Sequence, residues 1–177
     1  MGREVRGALS ARNFRPPAWA LWPPNRVLPP KKEKERRREL IEKWANLLLE
    51  WASAKCVIAI NIAELLRTPP FDIQRELLEA AINYLVKVGQ AKKRGRGFII
   101  LYWRSPEEWA MKIYRWLKEN FKEVFSIDDL IEAYDADFSS MPRDELEYCL
   151  KLLERAGLIA KLKRVKGFYK LIIPGVE

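Results

Sequence analysis

The sequence predicts an α+β protein, mainly α, in which an extended N-terminal tail rich in proline and tryptophan precedes two similar small domains. Six of the eleven prolines fall within the first 30 of 177 residues. The rest of the chain repeats one apolar pattern, and both repeats predict the same order of elements. We therefore expect a tail over residues 1–34, a first domain over residues 35–104 and a second over residues 105–177.

The tail combines residues that oppose regular structure with residues that bind. Its proline pairs, Pro16-Pro17, Pro23-Pro24 and Pro29-Pro30, exclude a helix or an inner strand. Trp19 and Trp22 lie between the pairs, although a disordered linker has little use for such side chains. Polyproline segments with aromatic residues are preformed protein ligands. We expect the tail to dock onto a partner, and folding back onto its own first domain remains the alternative.

The repeat aligns residues 44–66 with residues 109–131 at an offset of 65, without gaps. Trp44 matches Trp109, and Trp51 matches Trp116. The spacing of each pair places both tryptophans on one helical face. These four side chains are therefore expected to be core residues and not binding residues.

Each repeat predicts a long helix, a short strand, a short capped helix, a third helix and a β-hairpin. The bounds expected in the first domain are Glu35–Lys55, Val57–Ile60, a helix capped by Asn61, Phe71–Val88 followed by Gly89, and a hairpin turning at residues 94–97. Those in the second are Ser105–Asn120, Val124–Phe125, a helix capped by Ser126, Pro142–Ala156 followed by Gly157, and a hairpin turning near Lys166-Gly167. This order is that of two tandem winged-helix domains, an elaboration of the helix-turn-helix.

The composition argues against catalysis. The chain has no histidine, the commonest general base and metal ligand, and the eight glycines form no phosphate-binding loop. Cys56 and Cys149 lie within apolar patterns and are expected to be small buried hydrophobes. We expect no enzyme, no cofactor and no metal site.

The hydropathy of the chain predicts a soluble, intracellular protein. No apolar run approaches the roughly 20 residues of a membrane span, and the first fourteen residues contain no stretch of signal-peptide length. Abundant lysine, arginine and glutamate without histidine hint at a thermophilic or archaeal source.

The charge is distributed unevenly between the two halves. Residues 1–104 carry 21 basic and 10 acidic side chains, a net charge of +11, whereas residues 105–177 carry 12 and 14, a net charge of −2. We therefore expect the halves to meet different partners. A basic half suits nucleic acid or an acidic membrane surface, and an acidic half suits a basic protein segment.

Carboxylates near the start of each third helix argue against reading of duplex DNA, because they would repel phosphates. Basic residues cluster instead on the hairpins. Those of the first hairpin are Lys92, Lys93, Arg94 and Arg96, and those of the second are Lys161, Lys163, Arg164 and Lys166. Charged edge strands that oppose aggregation are the favoured interpretation, and a weak, sequence-independent patch for RNA or acidic lipid headgroups is the alternative.

Residues 101–117 read LYWRSPEEWAMKIYRWL. They resemble the segment that joins two winged-helix domains in the vacuolar protein sorting protein 25 family, the small subunits of ESCRT-II. That family has a Trp-Arg-x-Pro-Glu-Glu-Trp sequence followed by an Ile-Tyr-x-Trp helix. Pro16-Pro17-Ala18-Trp19 is similar to its Pro-Pro-x-aromatic tail motif, with Trp in place of Phe. The resemblance covers residues 14–173, and the short basic hairpins indicate a distant, archaeal member.

The resemblance implies an adaptor that is recruited from the cytoplasm to membranes as part of ESCRT-II. Its tail and first domain would bind a larger winged-helix subunit, and its second domain would recruit or nucleate an ESCRT-III subunit for membrane remodelling and protein sorting. The implied contact residues in the tail are Pro16, Pro17, Trp19, Leu21 and Trp22. Those facing ESCRT-III are Asp128, Asp129, Glu132 and Glu147. The alternative function is that of a tandem winged-helix protein that binds nucleic acid in transcription or chromosome organisation.

Overall fold

The computed structural model describes residues 14–173 and residue 175, so the first part of the predicted tail, residues 1–13, lies outside the described residues. The described chain forms two compact units, the first ending at Trp103 and the second beginning at Arg104. Each unit contains helices and one three-stranded antiparallel sheet. Among the described residues, no helix is both long enough and apolar enough to span a membrane.

The tail contains helical turns, so the prediction that it is extended throughout is wrong. Helix α1 spans Ala18–Leu21, and a 3-10 turn spans Pro23–Arg26. The prolines permit both turns because Pro17 precedes α1 and Pro23-Pro24 occupy the first two positions of the 3-10 turn. Pro17 keeps an extended backbone at the N-cap of α1, and Pro23 opens the 3-10 turn, where its missing N–H costs no hydrogen bond.

Helix α2 spans Lys34–Lys55, in agreement with the predicted helix. Its buried stripe includes Trp44, Leu48 and Trp51, which the helical spacing assigns to the core. The helix ends at Cys56, which adopts a left-handed conformation with a φ of 54°. Cys56 is therefore a partly exposed C-cap residue and not the buried hydrophobe that its neighbours predict.

Strand β1 spans Ala59–Asn61, one to two residues after its predicted position, and helix α3 spans Ile62–Leu65. The Asn61 side chain accepts a hydrogen bond from the backbone N–H of Ala63, which confirms the predicted N-cap. Helix α4 spans Arg75–Lys87 and begins four residues later than expected. The reason is that Phe71, although fully buried, belongs to the turn before the helix.

A β-hairpin completes the first unit. Strands β2 and β3 span Ala91–Arg94 and Phe98–Leu101, and β1 pairs with β3, so that the strand order is β1-β3-β2. Gly89 follows α4 with a φ of 80°, as predicted for a glycine at a left-handed helix end. Ile99 and Leu101 face the core that α2 and α4 form with the sheet.

The second unit repeats this order. Its helices are α5, α6 and α7, at Pro106–Glu119, Ile127–Ile131 and Arg143–Arg155. Its strands are β4, β5 and β6, at Val124–Ser126, Ile159–Lys161 and Phe168–Leu171, in the order β4-β6-β5. The predicted bounds of the helices and of β4 differ from these by at most a few residues at each end. Both units therefore have the predicted winged-helix arrangement.

Serine N-caps set the starts of two helices in the second unit. The Ser105 hydroxyl accepts a hydrogen bond from the N–H of Glu108 at the start of α5. Ser126 and Asp129 form a reciprocal capping box at the start of α6. Trp109 is buried, whereas Trp116 is partly buried with its ring edge-on to Phe138.

Candidate protein-docking site

The tail packs onto the first unit through Trp19. The Trp19 ring lies edge-on to the Trp44 ring, with 5.2 Å between centroids. The Lys43 ammonium lies 5.7 Å from the Trp19 centroid, within the range of a cation–π contact. Ala20 is fully buried in the same core. Residues 14–30 of the tail therefore fold back onto the first unit, which is the alternative that the sequence leaves open.

Arg26 fastens the tail to the turn before α4. One guanidinium nitrogen donates to the Ala20 carbonyl at 2.9 Å. The other donates to the backbone carbonyl of Asp72 at 3.0 Å and to its carboxylate at 2.7 Å. Because the Arg26 side chain is only 21% exposed, this contact is better shielded from solvent than an ordinary surface ion pair.

Further hydrogen bonds fix the tail backbone. The Trp44 indole donates to the Asn25 carbonyl at 2.7 Å, and the Gln74 side chain accepts from the Leu28 N–H at 2.6 Å. The Gln74 N–H donates to the Arg26 carbonyl at 3.1 Å. The tail therefore occupies the N-terminal end of α4, the end that a winged helix would present to DNA.

The tail presents apolar side chains to solvent on the residues that follow Trp19. Leu21, Trp22 and Val27 are 57%, 60% and 52% exposed. We call these three residues the exposed tail residues. Large exposed apolar side chains on an ordered segment are a common feature of protein-binding sites.

The structure thus divides the five predicted tail contacts into two groups. Trp19, Pro16 and Pro17 are partly buried, whereas Leu21 and Trp22 are exposed. Arg26 and Gln74, which hold the tail in place, were not predicted from the sequence. Arg26 is the one basic residue between Pro16 and Pro30, and this is the one local signal that points to such a role.

The predicted acidic residues of the second unit are only partly grouped. Arg143 lies 3.0 Å from an Asp128 carboxylate oxygen and 3.7 Å from one of Glu147, so it joins α6 to α7. Asp129 accepts a hydrogen bond from the Ser126 N–H within the capping box, and Glu132 is exposed. Asp128 and Glu147 therefore share one surface that Arg143 partly neutralises, while Asp129 serves the local fold.

The predicted basic patch lies on the first hairpin. Lys92, Lys93, Arg94 and Arg96 are all exposed, and Phe98 opposite Arg94 is 50% exposed. The hairpin is thus a cationic surface, separate in sequence from the tail.

Cys149 is a buried residue of α7, and its thiol lies 3.7 Å from the Pro106 carbonyl oxygen. Burial, together with the negative charges of Glu145 and Glu107, raises the pKa of the Cys149 thiol to about 12. The thiol is therefore protonated and inert near neutral pH. Within residues 14–173, no group of His, Cys, Asp and Glu side chains has the arrangement of a metal site.

The sequence matches a family model described as ESCRT-II complex subunit over residues 21–141. Vacuolar protein-sorting-associated protein 25 of Xenopus laevis is 25% identical over 114 residues, which cover 58% of this chain and 66% of the frog protein, just under two thirds. The Schizosaccharomyces pombe protein of the same name is 28% identical over 105 residues, 58% of this chain and 59% of the yeast protein. The human protein is 24% identical over 138 residues, 72% of this chain and 77% of its own length.

Solved structures resemble the chain over most of its length. Subunit VPS25 of the endosomal trafficking complex ESCRT-II superposes with a TM-score of 0.67 at 20% identity, covering 88% of this chain and 98% of the subunit. A chain of the ESCRT-II complex of VPS22, VPS25 and VPS36 superposes with a TM-score of 0.63 at 19% identity, covering 89% and 98%. At these identities, the likeness establishes a shared fold.

Proposed function

Since the chain belongs to the family of ESCRT-II complex subunits, we propose that it binds a larger subunit of such a complex through its tail and first unit. The exposed tail residues carry this proposal, because Leu21 and Trp22 are large, apolar and exposed on a segment that is already ordered. A preordered segment binds with less loss of conformational entropy than a flexible one. The solved complex of VPS22, VPS25 and VPS36 supports the choice of partner class.

The placement of Trp19 refines which tail residues bind. Trp19 orients the tail by packing on Trp44, and Leu21 and Trp22 then face the partner. Exposed tryptophans that become buried on binding are frequent energetic centres of interfaces. We therefore assign the contact to Leu21 and Trp22 and an anchoring role to Trp19.

Size exclusion with light scattering tests this assignment on the full chain mixed with the VPS22 or VPS36 homologue of the same organism. We expect wild type to form a complex of defined mass. Leu21→Ala combined with Trp22→Ala should weaken it at least about a hundredfold, since two interface centres are lost. Val86→Ala combined with Val88→Ala removes apolar surface that is also exposed and is the matched control. Separate peaks for wild type, or equal losses in both variants, would refute the assignment.

We further propose that the second unit recruits an ESCRT-III subunit through a basic helix of that subunit. The support is the acidic surface of Asp128 and Glu147 across α6 and α7, together with the exposed Glu132. Charge complementarity of this kind mainly raises the association rate and the specificity.

A charge reversal tests this second contact. Asp128→Lys combined with Glu132→Lys should slow association with an ESCRT-III N-terminal helix by about tenfold at low salt. Glu123→Lys, at an exposed position before β4, is the control for a change of net charge. If all variants associate at the wild-type rate in a stopped-flow measurement, the acidic surface is not the contact. Recruitment of the ESCRT-III subunit to membranes would then depend on a different contact of the complex.

A further inference from the structure

The hairpin of the second unit carries only positive charge. Residues 156–173 contain five lysines and arginines and no aspartate or glutamate. Three of the five lie at the tip between β5 and β6, at Lys163, Arg164 and Lys166. We call residues 163–168 the second wing tip. Its charge contrasts with the net charge of −2 over residues 105–177.

The three cations of the second wing tip are available to a ligand. Each is exposed, and among the described residues none of the three forms an ion pair or a hydrogen bond through its side chain. Lys161, at the base, lies 3.9 Å from a Glu154 carboxylate oxygen. Arg143 of the same unit is likewise paired, with Asp128. The tip holds three positive charges within residues 163–166 that no carboxylate of the described residues neutralises.

The second wing tip also exposes apolar side chains among these cations. Val165 is 48% exposed at the centre of the cationic run, and Phe168 is 38% exposed. Protection of edge strands against aggregation accounts for the charges but not for an exposed valine between them. Val165 is aliphatic and offers no surface for base stacking, so RNA binding would use the cations and Phe168 but would leave the exposed Val165 without a role.

The tip is held by backbone contacts. The Leu162 N–H donates to the Phe168 carbonyl at 2.9 Å, and the Phe168 N–H donates to the Val165 carbonyl at 3.4 Å. Gly167, with a φ of 87°, allows this tight turn without strain. Tyr169 stacks on the buried Phe125 with 5.6 Å between ring centroids, which ties β6 to the core. The cations and Val165 are thus presented together on a fixed turn.

We propose that the second wing tip binds the surface of an anionic lipid bilayer. Lys163, Arg164 and Lys166 would lie at the level of the acidic headgroups, and Val165 would enter the boundary between headgroups and acyl chains. Positive charge combined with a shallow apolar insertion is the usual basis of interfacial membrane binding. This contact does not depend on whether the tail binds a larger subunit.

Vesicle flotation with the full chain tests the proposal, using phosphatidylcholine vesicles with and without phosphatidylserine. Wild type should bind only the anionic vesicles, and increasingly weakly with rising salt. Lys163→Gln, Arg164→Gln and Lys166→Gln together should lower the affinity about a hundredfold, at about fivefold for each charge. Lys92→Gln, Lys93→Gln and Arg96→Gln remove the same charge from the first hairpin and should cost much less. Val165→Ser keeps every charge and should lower the affinity several-fold.

The proposal is overturned if wild type stays unbound to anionic vesicles. It is also overturned if both triple variants lose binding equally, because net charge alone would then be responsible. Unchanged binding by Val165→Ser would contradict apolar insertion. Single-stranded RNA is the competing ligand. If wild type binds this RNA through the tip but does not bind the vesicles, the ligand of the tip is a nucleic acid and not a membrane. Circular dichroism of each variant establishes that the fold is retained.

Discussion

Trp19 and Trp22 are three residues apart, yet their environments differ. Trp19 packs on Trp44, and Trp22 is 60% exposed. We expect Trp19→Ala to lower the free energy of unfolding by about 2 kcal/mol, because an aromatic pair and partly buried area are lost. Trp22→Ala should change it by no more than about 0.5 kcal/mol, as for other exposed sites. Urea unfolding followed by far-UV circular dichroism measures both, and equal effects would contradict the assignment.

Sequence patterns predict buried residues where burial depends on local periodicity. The spacing of Trp44, Leu48 and Trp51 assigns them to one helical face, and all three are buried. The position of Trp19 depends instead on contacts with residues 25 positions away, and Arg26 reaches Asp72 across 46 positions. No pattern in a single sequence encodes such pairings, so the side of the tail that faces solvent could not be predicted.

Cys149 provides a probe of the second core. Its raised pKa, about 12, results mainly from burial, so the folded unit keeps the thiol protonated. Iodoacetamide at pH 8 should modify the partly exposed Cys56. Alkylation of Cys149 should be at least about a hundredfold slower, because the thiolate is the reacting form. In urea, both should react alike. Peptide mass spectrometry distinguishes the two sites, and fast modification of native Cys149 would show that the core opens readily.

The raised pKa of Cys149 also predicts the direction in which the free energy of unfolding changes with pH. An unfolded thiol ionises near pH 9, whereas the folded thiol holds its proton up to about pH 12. The contribution of Cys149 to stability is therefore complete below pH 9 and is lost as the pH rises towards 12. Cys149→Ala should remove this part of the alkaline decline in a urea titration, and an unchanged decline would contradict the assignment.

At the scale of elements, Arg26 provides the charged contacts that hold the tail to the first unit, in addition to the packing of Trp19 on Trp44. The Arg26 guanidinium donates hydrogen bonds to the Ala20 carbonyl in the tail and to the carbonyl and carboxylate of Asp72 in the turn before α4. We expect Arg26→Ala to speed hydrogen exchange of the Ala20 and Leu28 amides about tenfold, because hydrogen bonds from a charged donor are lost. Exchange within α5 of the second unit should be unchanged.

Arg38→Ala is the control for the loss of one positive charge near the tail. Its side chain is 76% exposed and lies 4.0 Å from Glu42, a geometry that contributes little to stability. Exchange that rises equally in both variants would mean that charge, and not the Arg26 contacts, holds the tail.

Element boundaries were predictable where a local signal sets them. Asn61 and Ser126 cap α3 and α6, and Gly89 and Gly157 end α4 and α7 with positive φ, as the sequence predicts. The start of α4 was not predictable in this way. Phe71 continues the apolar periodicity of the helix but packs from the preceding turn. A buried apolar residue fits the helical periodicity whether it lies in the helix or in the turn before it, so the periodicity does not locate the first residue of α4.

At the scale of the whole molecule, the repeat was the decisive signal. It predicts two units of one architecture, and in both the described residues of the repeat form three helices and a sheet of the same strand order. The family inferred from residues 101–117 and the tail motif is confirmed by the family model and the relatives. The partners and their contact residues remain proposals, because they depend on surfaces that composition and periodicity do not specify.

Each unit should fold without the other. Residues 1–103 contain the first core with its tail, and residues 104–177 contain a core of their own around Trp109, Phe125 and Leu150. Residues 104–177 form a fragment small enough to be marginally stable, so we expect it to unfold with a free energy of no more than about 5 kcal/mol. Separately expressed fragments should unfold cooperatively in urea, and their circular dichroism spectra should sum to that of the full chain. A fragment that lacks a cooperative transition would show that the repeat needs its neighbour to complete a core.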